Sequence, residues 1–151
     1  MPPGMERIEK ARALLAALPK AEEMKDYPLA AAIVVALAAD MAFDFDAQMP
    51  VFKKLVETMT ADDLETLMYI LYAHGVHIRW AFIAGARLLE LVPSASPEQA
   101  MRMLAPFSRF EWSGAFSCYR EEARRIWEAM KLPQDDRRYR MLCWYTRGGE
   151  R

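Results

Sequence analysis

The stretch TADDLETLMYILYAHG, residues 60–75, decides how the rest of the chain is read. Thr60 is followed three positions later by Asp63, the spacing at which two side chains can cap the free N–H groups of a helix start. The acidic residues Asp62 and Asp63 fall in the first turn, where the helix dipole favours negative charge. Leu64, Leu67, Met68 and Leu71 then recur at three- and four-residue spacing, which is one apolar face of a 3.6-residue period. Gly75 is the residue type that most readily takes the left-handed conformation closing a helix. Start, inner face and stop of one amphipathic helix are all written locally.

The same signals recur outward in both directions. MERIEKARALLAAL (5–18) places Ile8, Ala11, Leu15 and Leu18 on one face, and Pro19 is expected to stop it. Pro28 suits the first turn of PLAAAIVVALAADMAF (28–43), with Asp26 or Tyr27 as cap. That helix is apolar all round, which predicts a central position covered by other helices. DFDAQMP (44–50) reads as a loop, and Pro50 opens the helix VFKKLVETM (51–59). VHIRWAFIAGARLLELV (76–92) follows and is closed by Pro93. Ser96 with Gln99 predicts a capping box before PEQAMRML (97–104), and Ser108 with Glu111 predicts a second before a long segment ending at Pro133. Gly114 divides that segment, and Asp135 is expected to cap a last helix, DRRYRMLCWYTR (136–147), stopping at Gly148 and Gly149.

No run alternates apolar and polar residues over strand length, and no Asn-Gly or Asp-Gly hairpin turn occurs. The expectation is an all-α fold of seven to eight short helices without a sheet, in a single domain over residues 1–151. Short connections favour a compact bundle of antiparallel neighbours. Helix pairs every 30–35 residues, roughly, also fit a helical-repeat arrangement. At 151 residues with 54% hydrophobic and 27% charged content, the chain is long and apolar enough to bury a core.

Composition excludes some function classes. The net charge of −1 gives no global pull toward nucleic acid or anionic lipid. The longest apolar run, Leu29 to Ala39, is far short of the ~20 residues a membrane span needs. Residues 1–19 lack a basic segment followed by an apolar core, so no signal peptide is expected. Two cysteines, Cys118 and Cys143, are too few for a disulfide framework. A soluble protein of a reducing, cytoplasmic compartment is the resulting expectation.

Candidates for chemistry are thin. His74 and His77 are the only histidines and stand three positions apart, a spacing that would place both on one face of an unbroken helix. Gly75 between them predicts a helix corner instead, with the two imidazoles on different helices. No Glu-x-x-His and no Cys-x-x-Cys occurs, so no metal site is expected. Asp40, Asp44 and Asp46 do not make a Ca²⁺ loop, because Met49 and Leu55 stand where glycine and glutamate are required. No nucleophile elbow, phosphate loop or dinucleotide fingerprint is present, and Cys118, between Phe116 and Tyr119, reads as a buried inert thiol. The expectation is a protein that is not an enzyme and holds no cofactor.

What stands out is the C-terminal third. From residue 109 onward there are 10 basic and 7 acidic residues, against 10 and 14 before it. Arg120, Arg124, Arg125, Arg137, Arg138 and Arg140 interleave there with Tyr119, Trp127, Tyr139, Trp144 and Tyr145. Arginine and aromatic residues dominate protein–protein hot spots, and the same types bind single-stranded nucleic acid. Against this, Glu121, Glu122 and Glu128 stand at helical spacing from the arginines and cancel much of their charge. The reading is a macromolecular binding protein, such as an adaptor, assembly factor or inhibitor. Its contact surface is expected to centre on Trp127, Tyr139, Arg140 and Trp144, with Arg137 and Arg138 at the rim. Another protein is the expected partner, and a second copy of the chain is compatible with the same residues. An RNA- or DNA-binding helical domain is the alternative. A metal- or thiol-dependent enzyme built on His74, His77, Cys118 and Cys143 is the third.

Overall fold

The computed structural model describes Ala13 and residues 16–39, 45–73, 78–109 and 116–146. Among them there is no strand, and the all-α class expected from the sequence holds. The elements are α1 (16–23), α2 (Tyr27–Ala39), α3 (Phe45–Thr58), α4 (Ala61–Ala73) and α5 (Ile78–Leu91). A 3₁₀ turn (Val92–Ser94), α6 (Pro97–Arg109), α7 (Ser117–Ala129) and α8 (Arg137–Thr146) follow. None of these helices is long and apolar enough to cross a membrane. The chain divides into two compact units, residues 1–76 and 77–151.

In the first unit α2 packs against both α3 and α4. Asp26 caps α2, its carboxylate accepting the Leu29 N–H at 3.3 Å. Ala30, Ala31, Ile33, Val34 and Val35 are buried, as an apolar helix requires, but the cover is incomplete: Leu29 is 49% exposed and Ala36 is exposed. The capping box of α4 forms reciprocally, with Asp63 N–H donating to Thr60 Oγ1 at 3.2 Å and Thr60 N–H to Asp63 Oδ2 at 3.3 Å. Leu64, Leu67, Met68 and Leu71 are the buried face of α4, as the 60–75 stretch requires. His74, Gly75 and His77 lie outside the described residues, as do Asp40 and Asp44.

Several expected boundaries are corrected, three of them at prolines. Helix α1 runs past Pro19 to residue 23, and α3 begins at Phe45 with Pro50 inside it. Most of the expected 44–50 loop is therefore helix. Helix α6 continues through Pro106 to Arg109. Proline has a helical φ and costs one N–H bond plus a local clash, a penalty that tertiary burial can offset. Pro106 is itself buried in the row from Met103 to Ser108. Ser108, expected to open a second capping box, sits inside α6 instead, buried, and its hydroxyl donates to the Ala105 carbonyl at 2.9 Å, while Glu111 and Gly114 lie outside the described residues. Cys118, expected to be buried, is exposed at the start of α7.

Two helices close without glycine. Lys25 and Lys131 both take the left-handed conformation, with φ of 60° and 56°. At the end of α7, Lys131 N–H donates to Glu128 O at 3.1 Å and Leu132 N–H to Trp127 O at 3.2 Å. This bond pair is the Schellman arrangement, accompanied here by a buried Leu132 beside the buried Trp127. A side chain in this conformation carries a steric cost of about 1 kcal/mol that glycine avoids. Lys131→Gly should therefore raise the stability of the second unit by roughly 0.5–1 kcal/mol in urea unfolding. A decrease would show that the lysine side chain holds the turn.

The second unit is organised around α6, which touches α5, α7 and α8. Phe107 of α6 stacks on Phe116 with centroids 5.6 Å apart and planes 14° from parallel. Phe82 of α5 and Tyr119 of α7 complete the cluster, Tyr119 meeting Phe116 edge-on at 5.3 Å. Gly85 lets α5 approach these rings: a Cβ there would lie 3.3 Å from Phe107 Cε1 and 3.5 Å from Phe116 Cζ. Gly85→Val would drive two further methyl groups into the stack, so a loss of about 1–3 kcal/mol is expected by thermal or urea unfolding. No loss would mean that the rings shift freely.

Candidate partner-binding surface

The arginine and aromatic residues of the C-terminal third separate into an inner and an outer set. Helices α7 and α8 pack on each other, joined by the Lys131 turn and the segment through Pro133. Asp136, rather than the expected Asp135, caps α8: its Oδ1 accepts the Arg138 N–H at 2.8 Å. Leu142 is fully buried, which fixes the rotation of α8 about its axis.

Trp127 is 0% exposed, which corrects its expected place at the centre of a contact surface. It lies one turn beyond Ala123 and two beyond Arg120 on the buried stripe of α7, so packing decides its place. Its indole N–H donates to the Pro133 carbonyl at 3.1 Å, and the Tyr139 ring lies 5.9 Å away. Arg138 stands 5.9 Å from the indole centroid, within cation–π range. That arginine is also held by Asp136 through two bonds, Nε to Oδ1 at 2.9 Å and Nη2 to Oδ2 at 2.8 Å. The hydrogen bond from Arg138 holds the Asp136 carboxyl below the usual range, so the stability it contributes is lost as pH falls through that lowered value. Arg138 is thus a bracing residue between the α8 cap and the Trp127 ring.

Tyr139 is similarly committed. Its hydroxyl donates to Glu128 Oε1 at 2.7 Å, and the same oxygen accepts from Arg124 Nη1 at 3.1 Å. Arg124 also reaches Glu121 at 3.5 Å, and Arg125 pairs with Glu122 at 3.2 Å. The glutamates of α7 therefore neutralise Arg124 and Arg125, as their spacing suggested. The Glu128 bond raises the Tyr139 pKa, helped by burial and by Cys143, and burial raises that of Tyr119. A folded pKa above the unfolded one holds its stabilisation below pH ~10 and loses it as pH climbs through the folded value. Tyr139→Phe is expected to cost about 1 kcal/mol at pH 7. It should also flatten the fall in stability above pH ~10, leaving the part due to Tyr119. Urea titrations from neutral to alkaline pH read both effects, and an unchanged alkaline slope would contradict the bond.

The outer set is Arg137, Arg140, Met141 and Trp144. They stand at i, i+3, i+4 and i+7 and so form one stripe along α8, opposite the buried Leu142. Arg137 and Arg140 are exposed, Met141 is half-buried, and Trp144 is 47% exposed. Among the described residues neither Arg137 nor Arg140 forms a salt bridge. Met141 belongs to this stripe although the sequence reading passed over it; the spacing 137/140/141/144 was the available signal. Beside the start of α6, an open groove of about 430 Å³ is lined by Ser96, Glu98, Gln99, Met101, Arg102 and Arg138. It carries no convergent set of acid, base and nucleophile.

Among the described residues no three His, Cys, Asp or Glu side chains gather as a metal site would require. Neither Cys118 nor Cys143 is part of a disulfide. Compared with known proteins, the chain matches no family model, no curated protein and no solved structure.

Proposed function

We propose that this chain is a non-enzymatic binding protein, an adaptor, assembly factor or inhibitor, that engages another protein through the outer stripe of α8. The observation that carries the reading is the exposed Trp144 on one line with Arg137, Arg140 and Met141, on a helix whose opposite face is anchored in the core. Tryptophan and arginine give interfaces most of their binding energy. A rigid helix presents them with little ordering cost. The revised contact set is Arg137, Arg140, Met141 and Trp144, while Trp127, Arg138 and Tyr139 shape the helix from beneath.

A photo-crosslinking amino acid at Met141 tests this in the cell that makes the protein, with exposed Lys53 of α3 as the control position. A discrete, protease-sensitive adduct at position 141 and none at position 53 is expected. No adduct at 141, or the same set at both positions, would overturn the placement. An adduct destroyed by nuclease instead would make the partner a nucleic acid.

A further inference from the structure

We infer that the partner segment is an acidic amphipathic helix, with carboxylates about one turn apart followed by a large apolar side chain. The inference rests on the proposed α8 surface and names what fits it.

Its basis is a contrast in how arginines are matched. Arg87 has Glu90, Arg124 has Glu121 and Glu128, Arg125 has Glu121 and Glu122, and Arg138 has Asp136. On the outer stripe of α8 the guanidinium groups of Arg137 and Arg140 form no such pair among the described residues: Arg140 acts on the Asp136 carboxylate only at a distance, that carboxylate is already held by Arg138, and no acidic residue occurs between Arg137 and Thr146. They stand one turn apart at the N-terminal end of α8, where the positive end of the helix dipole adds to their charge. Met141 and Trp144 continue the line with apolar surface. The complement of this order, cation–cation–apolar, is anion–anion–apolar at the same i, i+3, i+7 spacing, which one face of a helix supplies. Bidentate carboxylate binding is also what arginine does best.

A phosphate chain is the less favoured occupant. Residues 77–151 carry 13 basic and 9 acidic residues, but the glutamates of α7 and Asp136 already hold several of those cations. What remains on the stripe is a pair of charges, not a basic track along which several nucleotides could lie.

The test uses the full chain and three fluorescein-labelled probes. One is a short helical peptide with Glu, Glu and Trp at i, i+3 and i+7; the second is the same peptide with Lys for Glu; the third is an oligothymidylate strand. Anisotropy is read at low and physiological salt for wild type, for Arg137→Glu/Arg140→Glu and for Trp144→Ala. The expected result is binding of the acidic peptide alone, weakened about tenfold or more by the charge reversal and by added salt. The Trp144→Ala loss should persist at high salt, because apolar contact is not screened. All three positions lie on the outer stripe, and circular dichroism verifies that each variant stays folded. Equal binding of the acidic and basic peptides, survival of binding in the reversed variant, or tighter binding of the oligothymidylate would overturn the inference. If a protein adduct at position 141 persists while the acidic peptide fails, the surface stands and only the stated partner chemistry falls.

Discussion

Trp127→Ala is expected to lower the unfolding free energy of the second unit by about 3–5 kcal/mol. The side chain is fully buried, so the substitution removes a large apolar transfer contribution and leaves a cavity between α7 and α8. Three attachments go with it: the indole N–H bond to Pro133, the contact with the Tyr139 ring, and the face on which Arg138 rests. The Pro133 carbonyl loses its donor, which is why Trp127→Phe should still cost about 1–3 kcal/mol. Trp144→Ala is the control, since a half-exposed residue of the outer stripe should change stability by only about 0.5 kcal/mol. Urea unfolding followed by far-ultraviolet circular dichroism separates the cases. Similar costs for the two tryptophans would contradict the division into inner and outer sets.

Phe116→Ala should be comparably severe, about 3–5 kcal/mol, through a different part of the same unit. Phe116 is 0% exposed and meets three rings, Phe82, Phe107 and Tyr119, at centroid distances of 5.6, 5.6 and 5.3 Å. Removing it takes the middle ring from the cluster and frees the start of α7. Gly85 provides an internal check. Because a Cβ at Gly85 would sit 3.5 Å from Phe116 Cζ, added volume at position 85 and deleted volume at position 116 fall in the same space. The Gly85→Val/Phe116→Ala double variant should cost less than the two single costs added together, a coupling expected only for sites in contact. Strict additivity would show that the two positions do not share a cavity.

Both predictions bear on function through geometry. The outer stripe of α8 can be a rigid contact only because Leu142 and the Trp127–Tyr139 contact hold its inner side. Variants of Trp127 or Tyr139 should weaken partner binding in proportion to the instability they cause. Variants of Arg137, Arg140 or Trp144 should weaken binding while leaving stability near wild type.

The sequence by itself determined the helices and most of their ends, because those signals act within one turn. The Thr60–Asp63 capping box, the Ser96 cap on Gln99 at 3.3 Å and the buried face of α4 were all legible, since each depends on residues three or four positions apart. Prolines misled at Pro19 and Pro50, where helices run on although both residues are exposed, and the end expected at Leu104 missed that α6 continues through a buried Pro106: a local signal does not carry the packing of the whole helix. Ser108 was misread as a cap because a serine inside a buried helix can donate its hydroxyl hydrogen bond to a backbone carbonyl one turn back. The candidate site was legible as a list of residue types and not as a surface. Trp127 and Trp144 read alike in sequence, both aromatic among arginines on a helix. Only the packing of α7 and α8 against α6 decided that one is core and the other 47% exposed, because burial depends on which face a neighbouring helix covers.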